Sequence, residues 1–245
     1  MAQSFSLRIQ EARKFERWMC VYREQPGLFR LFEKAEDPEG LAAQRLAHLA
    51  ELEGKRVLEI GCGTGWLTRR VASLAAHYKA VEPSAFMLAE AGDLHPAHAL
   101  RASGQELPFA DGSFDRIVMS WVLLDLRPSV RALVLEECLR VLKPNSADRG
   151  AGIWLIENAA TGEFQALRGL LDPGGHGELA PLIEEFGFSP VEMVATQIRF
   201  QGEREAAQVL GAILGSRVAD HLQRQPRVDL GMDLSILFRP NASGG

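Results

Sequence analysis

The chain has 245 residues, 47% of them hydrophobic and 24% charged, and a formal net charge of −5 with no block of basic residues. That balance suits one large globular domain, or one domain with a small appendage, and supplies no positive field to draw in nucleic acid. Three cysteines without metal-type spacing (Cys20, Cys62, Cys138), no signal-like N-terminus and no run near the ~20 apolar residues of a membrane helix exclude a disulfide scaffold, a zinc site and a membrane span, so a soluble, cytoplasmic protein is expected.

Residues 1–53 read as a helical N-terminal cap. Apolar residues recur at helical spacing in "LRIQEARKFERWMCVY" and in "EGLAAQRLAHLAEL", and Pro26-Gly27 and Asp37-Pro38 break the run. The first pieces concentrate Phe15, Trp18, Tyr22, Phe29 and Phe32. From residue 54 to 240 the pattern changes to short apolar runs alternating with helical stretches. The strand candidates are "RVLEI", "YKAVE", "HALRA", "FDRIVMS" and "GIWLIEN", then "GFSPVEMVATQIRF" and "DLGMDLSILFRP". Helices fill "GWLTRRVASLAA", "SAFMLAEAG" and "SVRALVLEECLRVL" among the first five, and one long helix, "EREAAQVLGAILGSRVADHL", separates the last two. The expected fold is α/β: a doubly wound, mainly parallel, seven-stranded sheet with an antiparallel last strand, plus the cap. Residues 241–245, "NASGG", are expected to be a flexible tail.

The stretch "VLEIGCGTG", Val57 to Gly65, runs from a strand into a glycine-rich turn and then a helix. Glycines accept positive φ and let a ligand come close to bare backbone. A dinucleotide loop has the spacing G-x-G-x-x-G, whose last glycine allows tight helix packing beside a pyrophosphate. Here the glycines are Gly61, Gly63 and Gly65, and the position completing that pattern is Trp66. No Gly-Lys-Ser/Thr follows, so a P-loop is excluded as well. Glu59, two residues before Gly61, would repel a diphosphate and attract a cation, directly or through water. The loop is therefore suited to a cationic nucleoside such as S-adenosylmethionine, which carries a sulfonium and an ammonium and no phosphate.

"VLEIGCGTG" resembles the first motif of class I S-adenosylmethionine-dependent methyltransferases, and the similarity runs from about Lys55 to Asn158. The resemblance implies a cofactor site at Glu59, Gly61, Cys62 and Gly63, with Cys62 a small residue whose backbone faces the ligand. "KAVEPS" ends the second strand with Glu82 and Pro83. In the family this acid accepts hydrogen bonds from both ribose hydroxyls; the alternative is a loop acid facing water. "RASGQELPFADGSFD" resembles the family segment that contacts the adenine, which implies roles for Ser103, Gly104 and Gln105. Ser103 stands where the family usually has aspartate, so a backbone contact is implied there more than a side-chain one. Ser120 and Trp121 end the fourth strand, where such enzymes line the reaction chamber, and "ECLRVLKPN" resembles the family's lead into the fifth strand. The Asp/Asn-Pro-Pro-Tyr/Phe signature of amino methylation is replaced by Ser120-Trp121-Val122-Leu123, and the paired glutamates of protein arginine methyltransferases are missing.

Methyl transfer from a sulfonium is an in-line displacement, so the protein has chiefly to align donor and acceptor; orientation can supply up to ~7–11 kcal/mol. A general base is needed only where the acceptor must lose a proton. His176, in the loop "DPGGHGE", and Asp125, after the fourth strand, are the candidates. Their bland readings are a loop histidine facing water and a helix-end cap. His48, His77, His95, His98 and His221 are read as surface or structural residues. Trp18 and Tyr22 either pack on the sheet or belong to a lid over an apolar acceptor, with Trp121 facing the same chamber. The expectation is a methyltransferase acting on a small molecule, with oxygen as first choice of acceptor atom, then nitrogen, then carbon. No metal, nucleic-acid or membrane partner is expected, and monomer and homodimer stay open. The rivals are a non-catalytic S-adenosylmethionine binder and a nicotinamide-dependent oxidoreductase.

Overall fold

The computed structural model describes residues 20–22, 24–92, 94, 99–144, 148–169 and 179–241. The apolar runs become seven strands: β1 Arg56–Ile60, β2 His77–Glu82, β3 Ala99–Arg101, β4 Arg116–Ser120, β5 Gly152–Asn158, β6 Ser189–Arg199 and β7 Asp229–Pro240. They form one sheet in the order β3-β2-β1-β4-β5-β7-β6. The pairs β1–β2, β1–β4, β2–β3 and β4–β5 are parallel, and the last strands are antiparallel. Strand order reverses direction at β1, between β2 and β4. In open α/β sheets ligands bind outside the carboxyl ends of the strands at such a switch point. β1, β4 and β5 are buried along almost their whole length, as expected of parallel strands covered on both faces.

The described residues fall into two compact units. The larger one holds 40–157, 179–194 and 234–241. It contains β1 to β4, nearly all of β5, and the helices α2 Leu41–Leu49, α3 Trp66–Val71, α4 Ala85–Ala91 and α5 Pro128–Val141. Leu58, Ile60, Ile117, Met119, Ile153 and Leu155 of the strands pack with Val134, Leu135 and Cys138 of α5 in one apolar cluster. Of the N-terminal segment read as a cap, α2 belongs to this sheet-bearing unit, while the residues up to Glu39 belong to the smaller one.

The smaller unit holds 20–39, 158–169 and 195–233. Its helix α1, Pro26–Ala35, packs against α7, Glu203–Leu214. The aromatic residues of the N-terminal segment form a chain of ring contacts here: Tyr22 meets Phe29 edge-on at 5.5 Å, Phe29 meets Phe32, and Phe32 meets Phe164 of α6, Glu163–Gly169. After α1 the chain is tied to the end of β6. The Asp37 N–H donates to the Gln197 carbonyl at 3.0 Å, and the Thr196 hydroxyl donates to Asp37 Oδ1 at 2.7 Å. The single long helix expected over 203–222 is broken in two. Gly215 takes φ 105° and ψ 173°, a conformation only glycine adopts cheaply, and α8, Ser216–Arg224, starts after it. α8 then folds back on α7, where a Cβ on Gly211 would lie 2.7 Å from the Ala219 Cβ.

One ion pair in the larger unit was not legible in the sequence. Arg116 opens β4 with its side chain wholly buried. Its Nε donates to the Ala50 carbonyl at 2.6 Å, its Nη1 to the Asp115 carbonyl, and its Nη2 to both oxygens of Asp148 at 2.8 and 2.7 Å. Lys55 also pairs with Asp148, and these two cations hold its carboxyl well below the usual range. Removing one partner of a buried pair strands the others, so Arg116→Ala should lower the unfolding free energy by about 3 kcal/mol in urea denaturation. An unchanged midpoint would show that the pair contributes nothing net.

Candidate active site

The glycine loop leaves the carboxyl end of β1. Gly61, Gly63 and Gly65 have φ of 71°, 55° and 94°, all in the region that penalises a Cβ. Space adds a second constraint at two of them. A Cβ on Gly61 would lie 2.7 Å from Val122 Cγ2, and one on Gly65 would lie 2.6 Å from Leu94 Cδ1. The N–H groups of Gly61 and Cys62 both donate to the Val81 carbonyl, at 2.8 and 3.1 Å, and the Gly65 N–H donates to the Cys62 carbonyl. Arg69 of α3 donates to the Thr64 and Ala91 carbonyls, so the loop is also tied to the end of α4. Cys62 is buried.

Glu82 closes the loop from the side of β2. It is only 1% exposed, which removes the reading of a loop acid facing water. Its Oε2 accepts from the Gly63 N–H at 3.0 Å and its Oε1 from the Ser84 N–H at 2.8 Å. The carboxylate therefore has a set orientation beside the bare backbone. Ser84 in turn caps α4, accepting from the Met87 N–H. Pro83 is exposed next to Glu82.

Glu59 takes a different environment. It pairs in register with Ala80, so its side chain shares a sheet face with Tyr78 and Glu82. It is fully buried, and one oxygen, Oε2, accepts from both the Thr68 hydroxyl at 2.5 Å and the Tyr78 hydroxyl at 2.7 Å. Oε1 is buried and has no partner among the described residues. Burial pushes the Glu59 carboxyl up to about 7, against the pull of the two hydroxyls, and the neighbouring Glu82 pushes the same way. Burial raises the Tyr78 hydroxyl well above its ordinary value, with the Glu59 charge adding to it. Thr68 and Tyr78 were not singled out from the sequence. The signal available for Tyr78 was its spacing of four from Glu82, which puts both on one strand face.

The position where a dinucleotide loop needs its last glycine is filled by the buried indole of Trp66. It packs edge-on against Trp121 at 4.8 Å, and the Arg70 guanidinium lies 4.6 Å from its ring centroid. Trp121 follows Ser120 at the carboxyl end of β4 and has φ 52°, a strained conformation for a bulky residue. Its N–H donates to the Ile156 carbonyl, while its indole N–H is buried with no partner among the described residues. Asp125 is half-buried in the turn that follows, two residues short of Arg127, which precedes the first turn of α5; a helix-end cap is not its role. It shares its surroundings with Arg131, Glu157 and Glu185. Burial lowers the Arg131 pKa and these three carboxylates oppose that shift. Arg131 and Glu157 were missed in the sequence, where each looks like an ordinary helix or strand residue.

The segment expected at the adenine forms a turn. The Ser103 hydroxyl accepts from the Gln105 N–H at 3.2 Å, and the Ser103 carbonyl accepts from the Glu106 N–H. A Cβ on Gly104 would lie 3.0 Å from Ile60 Cγ2 and 3.4 Å from Val134, so this turn sits at the end of β1, where the glycine loop begins. The structure thus brings Glu59, Gly61, Cys62, Gly63, Glu82, Ser103, Gly104 and Ser120 to the carboxyl ends of adjacent strands. Tyr22 lies half-buried in the smaller unit. Trp18 and His176 lie outside the described residues. Among the described residues no group of three or more His, Cys, Asp or Glu side chains is placed to hold a metal ion, and no helix is long and apolar enough to cross a membrane.

The strand order and the loop at the switch point define the Rossmann-like fold of class I methyltransferases. Residues 58–147 match the family described as methyltransferase domain. Among curated proteins, a malonyl-[acyl-carrier protein] O-methyltransferase of Erwinia billingiae is 34% identical over 135 residues, which is 54% of this chain and 49% of that protein. A tRNA U34 carboxymethyltransferase of Shewanella sediminis is 36% identical over 104 residues, 39% of this chain and 31% of that one. The chain thus spans half or less of the length of these relatives. The fold is also that of the YcgJ protein of Bacillus subtilis, with a TM-score of 0.54 and 16% identity over 83% of this chain and 99% of that one.

The buried Glu59 has a consequence for stability. A carboxyl whose folded pKa lies near 7 binds more protons in the fold than in the unfolded chain between its ordinary value and pH 7. Its contribution is therefore full below the ordinary carboxylate range and is lost as pH rises toward 7, by at most about 1.4 kcal/mol per pH unit. Glu59→Gln should lose less stability than the wild type between pH 5 and pH 7 in denaturant titrations. Parallel pH profiles for the two proteins would show that Glu59 does not titrate in that window.

Proposed function

We propose that the protein is an S-adenosylmethionine-dependent methyltransferase that acts on a small molecule, with oxygen the first choice of acceptor atom, then nitrogen, then carbon. The observation that carries this reading is Glu82, buried at the rim of the glycine loop and held on each oxygen by a backbone N–H. Such a carboxylate is oriented before a ligand arrives, and it suits the two hydroxyls of a ribose. Three glycines beside it expose backbone on which a nucleoside can lie. Glu59 adds a buried oxygen without a partner, which suits a donor from an ammonium or a water between them. These features fit the cofactor. A diphosphate fits worse, because two acids flank the loop and Trp66 occupies the place of the packing glycine.

Bound in this cradle, the cofactor supplies a methyl group already activated on a sulfonium. The protein's share is then alignment and exclusion of water. Trp121 sits at the end of β4 with its indole edge against Trp66 and a buried N–H that lacks an acceptor. That donor suits an acceptor presenting an oxygen there. Asp125, in the following turn, is the proposed base for an acceptor hydroxyl, and the Arg131 charge near it supports that role. Proposed roles for His176 in catalysis and for Trp18 and Tyr22 as substrate residues go with this reading. The curated relatives carry acceptors as different as a carrier-protein malonyl group and a tRNA uridine in their names. The net charge of −5 and the scattered basic residues favour a small molecule over RNA here.

Ligand-induced stabilisation tests the reading. At 100 times its dissociation constant a ligand stabilises by ~2.7 kcal/mol, so S-adenosylhomocysteine should raise the melting temperature and NADH should not. A shift with NADH alone would replace this reading with an oxidoreductase. Calorimetry of Glu82→Ala should show S-adenosylhomocysteine binding abolished with the fold intact, and retained affinity would make Glu82 a bystander. With an acceptor in hand, His176→Ala should reduce turnover more than cofactor affinity; equal turnover would remove His176 from the site.

A further inference from the structure

The turn at 103–106 is followed by a segment whose backbone is held almost entirely by two side chains of α5. The Leu107 N–H donates to Glu137 Oε2 at 2.8 Å, and the Leu107 carbonyl accepts from Arg140 Nη2 at 3.1 Å. Both polar backbone groups of one buried residue are thus bound by one ion pair. Arg140 goes on to donate Nη1 to the Phe109 carbonyl and to Asp111 Oδ1, each at 2.8 Å. It also forks onto Glu137, Nε to Oε1 at 2.7 Å and Nη2 to Oε2 at 2.8 Å. A guanidinium has five N–H donors, and each has a partner here. Lysine could keep the charge but could not bind two carbonyls and two carboxylates at once.

We propose that Glu137 and Arg140 are positioning residues for the adenine end of the cofactor, setting its affinity by fixing where the Ser103–Leu107 turn stands against the end of β1. This rests on the methyltransferase reading above. Three observations support it. The pair grips Leu107, the first residue after the turn, rather than the strand or helix ends that a purely structural brace would join. Gly104, inside the turn, packs so closely on Ile60 that a Cβ there would lie only 3.0 Å from Ile60 Cγ2, so a shift of Leu107 is transmitted to the residue before Gly61. Both groups of the ion pair also stay charged around neutral pH. Hydrogen bonding from Arg140 holds the Glu137 carboxyl down to about 2, and Glu137 and Asp111 raise Arg140 further above its ordinary value. The adenine face is in this way preset by charge-assisted bonds that neither pH nor a mobile loop disturbs.

Arg140→Lys, Glu137→Gln and the double variant distinguish this from a brace. In titration calorimetry, Arg140→Lys should bind S-adenosylhomocysteine roughly tenfold more weakly, the scale of one or two lost hydrogen bonds. Methylthioadenosine, which lacks the amino-acid end, should lose affinity by the same factor, because the disturbed contact is at the adenine. The double variant should bind no more weakly than Arg140→Lys alone, as expected of two groups acting as one unit. Melting temperatures measured alongside give the structural contribution. Variants that melt lower yet bind both ligands as tightly as the wild type would overturn the proposal and leave a brace. Wild-type protein that fails to bind either ligand would overturn the methyltransferase reading, and this proposal with it.

Discussion

A buried carboxylate must be satisfied where it stands, and in this protein Glu82 is satisfied by two backbone N–H groups, one from the glycine loop and one from the start of α4. Much of the site follows from that constraint. For the Gly63 N–H to reach Glu82, the chain leaving β1 has to curl toward β2, and it does so with Gly61 and Cys62 both bonded to the Val81 carbonyl. A curl that tight passes through positive φ at alternate positions, which is why glycine recurs there. The chain then enters α3 with Trp66 pointing into the protein, and Trp66 braces Trp121 at the end of β4. Glu82 and the end of β4 are thus coupled through one loop and one pair of indoles within the larger unit.

The two acids beside the loop show how environment divides similar side chains. Glu82 is bound by fixed backbone donors and lies at the rim. Glu59 is deeper, bound by two hydroxyls on a single oxygen, with its other oxygen bare and its carboxyl pushed up to about 7 by burial. Two carboxylates on one sheet face repel each other, so the deeper one yields its charge more readily. A positively charged ligand would reverse that preference, which gives the loop a physical reason to select a cation over a diphosphate.

The family match, residues 58–147, falls wholly inside the sheet-bearing unit. The smaller unit, with its chain of aromatic contacts from Tyr22 to Phe164 and the paired helices α7 and α8, lies outside it. What matches the family is therefore confined to the sheet-bearing unit. The relatives are named for acceptors as unlike as a carrier-bound malonyl group and a tRNA base.

Sequence alone determined the strands, their alternation with helices and the glycine loop with its acids, because each depends on residues close together in the chain: apolar periodicity for the elements, positive φ for the glycines, charge for Glu59 and Glu82. The size of Trp66 and the charge of Glu59 also argued against a dinucleotide loop. Only the tertiary structure decided that Glu59 is buried under Thr68 and Tyr78, that Arg116 spans from β4 to Ala50 and Asp148, that Arg140 grips Leu107, and that α2 joins the sheet-bearing unit while α1 does not. The side-chain meetings among these join residues from nine to 66 positions apart, set by which element lies beside which. The break at Gly215 was written locally, but apolar spacing on both sides concealed it; the helix ends there because α8 packs back on α7 at Gly211, and burial of that face outweighs a continuous run of backbone hydrogen bonds.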